Sequence, residues 1–150
     1  MLHFKRTDSG NPGFQSLVVL LDNDLAIRDG DDHAFYDQFN KITHIKNAIV
    51  CYSNDKPVAC GAFKQYADDT VEIKRMFVVP EYRGKGLGAQ VLQQLETWAQ
   101  ELAYRVCILE TGMKQPEAIA LYKKCGYTIT ENYGQYEGVE NSVCMKKELQ

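Results

Sequence analysis

The sequence predicts one α/β domain over residues 1–150, with a mixed, mostly antiparallel sheet and a central parallel strand pair flanked by helices. Three observations carry this reading. The apolar run Val71 to Pro80 is followed by a glycine-rich turn, a long amphipathic helix pattern and a second apolar run, Arg105 to Glu110. Strand, helix and strand joined this tightly form a right-handed βαβ unit with parallel strands. Upstream, strand-like runs separated by short turn clusters fit an antiparallel meander. The 150 residues suffice for one core, and 45% hydrophobic with 25% charged content is ordinary for a globular chain.

The elements follow in order. Met1 to Arg6 reads as an edge strand. Asn11-Pro12 supplies a helix N-cap and first position, and Phe14, Leu17, Val18, Leu21 and Leu25 recur behind it at helical spacing. Asp29-Gly30-Asp31-Asp32 ends that helix, and Ala34 to Thr43 reads as a second, short one with Phe35 and Phe39 on one face. Ala48–Ser53 and Val58–Gln65 read as strands joined by the turn cluster Asn54-Asp55-Lys56-Pro57, and Ala67-Asp68-Asp69 leads into Val71–Val78. From Leu87, the positions Val91, Leu92, Leu95, Ala99 and Leu102 form an apolar face; Gln90, Gln93, Gln94, Glu96, Gln100 and Glu101 fill the other. Trp98, at the edge of the stripe, reads as core. Pro116 opens another helix, with Glu117 in its first turn, Lys123 and Lys124 in its last and Gly126 just past its end. Tyr127–Thr130 and Asn141–Glu148 form a final antiparallel pair.

Composition excludes several function classes. The net charge of −3 comes with no basic stripe, which argues against a nucleic-acid partner. Five cysteines, Cys51, Cys60, Cys107, Cys125 and Cys144, are scattered with no C-x-x-C spacing, so neither a zinc ribbon nor a dithiol redox site is expected. His3, His33 and His44 show no ligand spacing, and no metal is expected. Lys5 and Arg6 lead into Asp8, Gly10 and Pro12 rather than an apolar stretch, and the longest apolar run, Leu17 to Leu21, is far too short to span a bilayer. A cytoplasmic chain with no membrane partner is expected, its cysteines free in a reducing compartment.

The turn Arg83-Gly84-Lys85-Gly86-Leu87-Gly88 is the most informative segment. Alternating glycines at a strand-to-helix turn let backbone N–H groups close on a phosphate, and the helix N-terminus behind them adds a favourable dipole. The spacing fits neither the G-x-x-x-x-G-K-[ST] loop nor the G-x-G-x-x-G fingerprint. It does match Q/R-x-x-G-x-G/A through Arg83, Gly86 and Gly88. A second motif, Ala-x-x-Leu-Tyr-x-x-x-Gly-Phe/Tyr, is matched by Ala118, Leu121, Tyr122, Gly126 and Tyr127. With both motifs in this order, the chain resembles the GNAT family of N-acetyltransferases over residues 47 to 130.

The resemblance implies acetyl-CoA as acetyl donor and a primary amine, on a small molecule or a peptide, as acceptor. The implied pyrophosphate grip is the backbone of Gly84, Lys85, Gly86, Leu87, Gly88 and Ala89, with positive charge from Arg83 and Lys85. A backbone N–H near Phe77 or Val78 is the implied donor to the thioester oxygen. Tyr122 aligns with the family's general acid to the leaving thiolate. An alkylammonium at neutral pH lies roughly 4–5 kcal/mol from its neutral form, so a base is needed. Glu72 is the first candidate and Glu110 the second. Strand alternation puts Glu72, Lys74 and Met76 on one face and Ile73, Arg75 and Phe77 on the other. Glu72 also fits a solvated carboxylate on an exposed face, and Glu110 a structural carboxylate in a turn with Thr111 and Gly112. Tyr133, Gly134 and Tyr136, with the acidic segment Asp22 to Asp32, are candidates for lining the acceptor site. A second reading is an acetyl-CoA-binding sensor or interaction module without turnover. An exposed edge strand near the C-terminus would allow a homodimer.

Overall fold

The computed structural model describes residues 1–29 and 45–150. The expected short helix over 34–43, the turn over 30–32, and His33 and His44 lie outside the described residues. Strand β1 (Leu2–Thr7) precedes helix α1 (Pro12–Asp29); β2 (Asn47–Ser53), β3 (Lys56–Ala67) and β4 (Thr70–Val78) follow. A 3-10 turn (Pro80–Tyr82) leads to α2 (Leu87–Glu101), then β5 (Val106–Gly112), α3 (Pro116–Lys124), β6 (Thr128–Thr130), a 3-10 turn (Gly134–Tyr136) and β7 (Ser142–Glu148). The sheet order is β1-β2-β3-β4-β5-β7-β6, antiparallel except for the β4–β5 pair at its centre. The last strand is therefore interior, and three-residue β6 forms the C-terminal-side edge. None of the described helices is long and apolar enough to cross a membrane.

Local chemistry accounts for these elements. Asn11 caps α1, its side-chain oxygen accepting the Phe14 N–H at 2.9 Å. Phe14, Leu17, Val18 and Leu21 are buried by that helix as their spacing predicts. The β2–β3 turn is tighter than its sequence cluster suggests. Asn54 and Asp55 alone make it, with φ of 49° and 71°, so Lys56 and Pro57 already belong to β3. Positive φ at both central positions is the type I′ pattern, one of the two-residue turns that match strand twist, and Asn and Asp tolerate it. Residues Val58 to Phe63 of β3 are buried without a break, because helices cover both faces. A Cβ on Gly61 would lie 2.8 Å from Leu95 and 2.9 Å from Val91, so α2 presses directly on the sheet there. Helix α1 also packs on β2 to β4, covering the other face.

Two expectations about α2 need correction. The helix ends at Glu101, leaving Leu102 exposed, and Glu96 is buried. Glu96 accepts hydrogen bonds from the Tyr127 hydroxyl at 2.9 Å and the Lys147 ammonium at 2.8 Å. These donors come from the end of the chain and compensate the desolvation of the carboxylate. Trp98 is half-buried and meets Phe63 edge-on at 5.8 Å. Cys51, Cys60, Cys107 and Cys144 are buried and Cys125 half-buried, all as free thiols.

The feature that shapes the site is a break in β4. Lys74 pairs with Ala62 and Phe77 with Cys60, so β4 uses three residues where β3 uses two. Arg75 sits at this bulge with φ of 59°, a left-handed conformation. Simple alternation therefore fails. Paired residues share a face, so Phe77 joins Glu72 and Lys74, while Met76 turns to the side of Gly61 and α2. Parallel pairing of β4 with β5 is confined to Thr70–Glu72 against Val106–Ile108. Beyond Glu72 the two strands no longer pair with each other, and the sheet opens there.

Candidate active site

A cleft of about 350 Å³ lies beside the glycine turn. Its walls include Phe77 and Val78 from the end of β4, Arg83, Gly84, Gly86, Leu87, Gly88 and Ala89 from the turn and first helical turn, and Leu121 and Tyr122 from α3. Gly86 is the N-cap of α2 at φ 80°, a conformation that disfavours any side chain. The first helical bond runs from Gln90 N–H to the Gly86 carbonyl at 3.1 Å, which leaves the N–H groups of Leu87, Gly88 and Ala89 without intrahelical acceptors.

The basic residues of the turn divide. Arg83 Nε donates to the Val78 carbonyl at 2.8 Å, and its guanidinium lies 5.5 Å from the Phe77 ring centre, so it braces the turn while lining the cleft. The Lys85 ammonium instead lies 5.0 Å from the Tyr82 ring centre, and Lys85 is not in the cleft wall. The main chain also separates Phe77 from Val78. Val79 N–H donates to the Val58 carbonyl at 2.9 Å. Groups alternate along an antiparallel strand, so the Val78 amide faces away from β3, on the side where Arg83 meets its carbonyl.

A second, smaller cavity of about 110 Å³ occupies the opening between β4 and β5. Glu72, Lys74 and Arg75 line it from β4, Glu110 and Thr111 from β5, and Tyr136 from the loop after β6. Leu21, Met76, Gln115, Ala118 and Tyr122 line both spaces, so the cleft and the cavity meet at Tyr122. Tyr122 is buried and stacks edge-on against Tyr127 at 5.9 Å. Burial pushes its hydroxyl well above the ordinary phenol range, with Cys125 and Glu110 adding to the shift.

The two candidate carboxylates thus face one cavity. Glu72 is only 3% exposed, which overturns the solvated-face alternative. Its Oε2 accepts a 2.7 Å bond from the Tyr133 hydroxyl, and its Oε1 lies 3.7 Å from the Lys74 ammonium. Burial lowers the Lys74 pKa, against the opposing pull of Glu72. Glu110, Thr111 and Gly112 belong to strand β5, paired with Cys144, Val143 and Ser142, not to a turn.

The expected acidic lining is corrected too. Asp22 does not line the cavity; its carboxylate pairs with the buried Arg75 guanidinium at 2.6 Å. Asp24 lines the larger cleft and pairs with Arg28 at 3.2 Å; Arg28 also meets Glu117 across that cleft. The remainder of the segment from residue 30 lies outside the described residues. Lys74, Arg75, Met76 and Gln115 are wall residues that sequence reasoning missed. Arg75 and Asp22 are 53 positions apart, and nothing in the strand pattern marks the bulge that brings them together.

Comparison with known proteins places this geometry in a family. The acetyltransferase (GNAT) family profile matches residues 15–127. An IAA acetyltransferase of Azospirillum brasilense is 38% identical over 105 residues, which cover 67% of each chain. A Xenopus tropicalis relative provisionally named N-acetyltransferase 14 is 36% identical over 83 residues, and the chain spans only 40% of its length. A solved structure from Klebsiella pneumoniae, assigned as an acyl-CoA N-acyltransferase, superimposes with TM-score 0.84 at 26% identity, covering 100% of this chain and 99% of that one. A Bacillus subtilis acetyltransferase solved with CoA shares the fold at TM-score 0.73 and 17% identity, covering 100% of both chains. With the matched profile spanning the open β4–β5 pair, the glycine turn and the Tyr122 helix, the chain belongs to the GNAT family of acetyltransferases.

Proposed function

We propose that the protein is an acetyl-CoA-dependent N-acetyltransferase that moves the acetyl group directly to a primary amine. The single observation that carries this reading is the meeting of an apolar donor cleft and a polar, carboxylate-lined cavity at Tyr122. A pure binder has no need of the second space.

In this reading the pyrophosphate of the donor binds the N–H groups at the start of α2, with Arg83 beside it. Lys85 contributes its backbone rather than its ammonium. The thioester reaches the junction, where the Val78 N–H is the candidate donor to the carbonyl oxygen as it gains charge. The acceptor enters the cavity between β4 and β5. Glu72, with Glu110 as the second candidate, takes the ammonium proton directly or through a water. The amine nitrogen bonds to the carbonyl carbon, the C–S bond breaks, and the thiolate receives a proton from Tyr122. The second proton leaving the nitrogen as it becomes an amide restores the Tyr122 hydroxyl, and Glu72 returns the first to solvent. Burial keeps that hydroxyl protonated until sulfur becomes charged, and the same desolvation raises the basicity of the buried thiolate that takes the proton. The name of the Azospirillum relative, IAA acetyltransferase, supports a small-molecule acceptor over a peptide.

The test is Tyr122→Phe, assayed by thiol release from acetyl-CoA with benzylamine, spermidine and a lysine-containing tripeptide. Turnover is expected to fall at least about 100-fold, with the KM for acetyl-CoA unchanged. Unchanged turnover would remove Tyr122 from the mechanism. Acetyl-CoA binding by the wild type without transfer to any amine would favour the sensor reading.

A further inference from the structure

We propose that Tyr133 is a positioning residue for the acceptor-side carboxylate, its hydroxyl fixing the orientation of Glu72. The inference rests on the reading above, in which Glu72 is the base. Tyr133 lies in the loop between β6 and β7, 61 residues from Glu72, yet its hydroxyl donates to Glu72 Oε2 at 2.7 Å. The other carboxylate oxygen, Oε1, is left on the side of Lys74, which shares the cavity wall.

The ring that delivers this hydroxyl is held from two sides. Tyr66 of β3 meets it edge-on at 5.2 Å, and Tyr136 does so at 5.8 Å. The loop is closed beneath it by Asn132, whose side-chain amide donates to the Val139 and Ser142 carbonyls at 2.9 and 3.2 Å. Gly134 follows at φ 53°, letting the chain turn directly after the tyrosine. Tyr133 is therefore presented by a fixed frame rather than by a free loop.

Direction follows from chemistry. Burial, then the charge of Glu72, pushes the Tyr133 hydroxyl far above its ordinary value. The proton stays on the tyrosine, and an ionised Glu72 can only accept. A carboxylate with one oxygen so fixed loses the rotation that would carry it away from an incoming amine. Preorganisation of this kind matters because displacement by about 1 Å can cost about 100-fold in rate. The buried carboxylate is also not explained by stability alone. An apolar residue in the same place would avoid the desolvation that the tyrosine and lysine offset.

The experiment is a double-mutant cycle on the full chain: wild type, Tyr133→Phe, Glu72→Gln and the double variant, assayed with acetyl-CoA and the three acceptors named above. Phenylalanine keeps both edge-on ring contacts. Tyr133→Phe is expected to lower kcat about 10- to 100-fold, with an unchanged KM for acetyl-CoA and an unchanged stabilisation by that ligand on thermal unfolding. In the Glu72→Gln background the same change should have no further effect, since no carboxylate remains to orient. Equal losses in both backgrounds, or full activity of Tyr133→Phe beside an inactive Glu72→Gln, would overturn the proposal and leave the acetyltransferase reading standing. Full activity of Glu72→Gln would overturn the base assignment and the proposal together. Absence of transfer by the wild type to all three acceptors would overturn the acetyltransferase reading itself.

Discussion

The cleft and the cavity that we assign to donor and acceptor share a wall but are built on opposite principles. The cleft takes its proposed phosphate grip from one contiguous stretch, the end of β4 through the first turn of α2, which offers main-chain N–H groups and glycine, while α1 and α3 close its other walls. The cavity is assembled from side chains of five segments, α1, β4, β5, α3 and the loop after β6. Main-chain recognition suits a donor that is the same in every turnover, and side-chain recognition suits the selection of a particular acceptor. Changes in the cavity should therefore alter chemistry while sparing donor binding, and changes in the turn should do the reverse.

The largest effect expected is that of Glu72→Gln. Loss of a general base typically costs 100- to 10,000-fold, or about 3–5 kcal/mol in the barrier. On the proposed assignment kcat falls by that order, while thermal stabilisation by acetyl-CoA persists. Loss of donor binding in this variant would break the division between the two regions. Next is Gly86→Glu, which places a carboxylate at the phosphate end of the cleft and a side chain at φ 80°. Acetyl-CoA at about 100 times Kd adds about 2.7 kcal/mol to wild-type stability, roughly 5–11 °C for a chain of this size. That shift should vanish in the variant, while the unliganded protein loses only about 1–2 kcal/mol to backbone strain.

This contrast also explains what was legible in the sequence. The glycine turn could be read because backbone recognition leaves a contiguous trace, glycines at fixed spacing. Tyr122 could be read because its motif, Ala118 to Tyr127, is contiguous, spanning helix α3 and the residues just past its end. Glu72 and Glu110 are candidates from residue type, strand position and, for Glu72, the family resemblance, and the structure brings them to one cavity. The partners of Glu72 could not be read, because Tyr133 reaches it across 61 residues through a loop with no periodic pattern. Glu96 looked like surface because its donors, Tyr127 and Lys147, are 31 and 51 positions away. The bulge at Arg75 was hidden because an arginine carries no mark of a left-handed backbone. Its consequence, moving Phe77 to the face of Glu72, reversed the alternation expected of β4.

Gly61 tests whether the two regions share a support. A Cβ there would lie 2.5 Å from the Met76 sulfur as well as close to Leu95 and Val91. Met76 lines both spaces. Gly61→Ala should cost about 1–3 kcal/mol through overpacking, read as a lower Tm. It should also disturb both the KM for acetyl-CoA and kcat. An effect confined to one parameter would show that the two spaces are less coupled than their common wall implies.

The smallest effect expected concerns Glu117, whose ion pair with Arg28 crosses the donor cleft from α3 to α1. Glu117 is held below the ordinary carboxylate value first by its own backbone N–H at the helix N-terminus, then by Arg28. A carboxylate whose folded pKa is depressed stabilises the fold above its unfolded pKa, near 4.3, and loses that contribution as pH falls through the folded value. The side chain is 59% exposed, so solvent and salt screen the pair and its worth is at most about 1 kcal/mol. Glu117→Gln should therefore lower stability slightly at pH 7, by less in high salt, and the difference from wild type should close on acidification below about pH 4. Acetyl-CoA binding should stay within a few-fold of wild type, because the proposed grip lies in the main chain of the turn. A tenfold or larger loss would mean that this cleft is also read by side chains, and the contrast between the two regions would fail at its donor end.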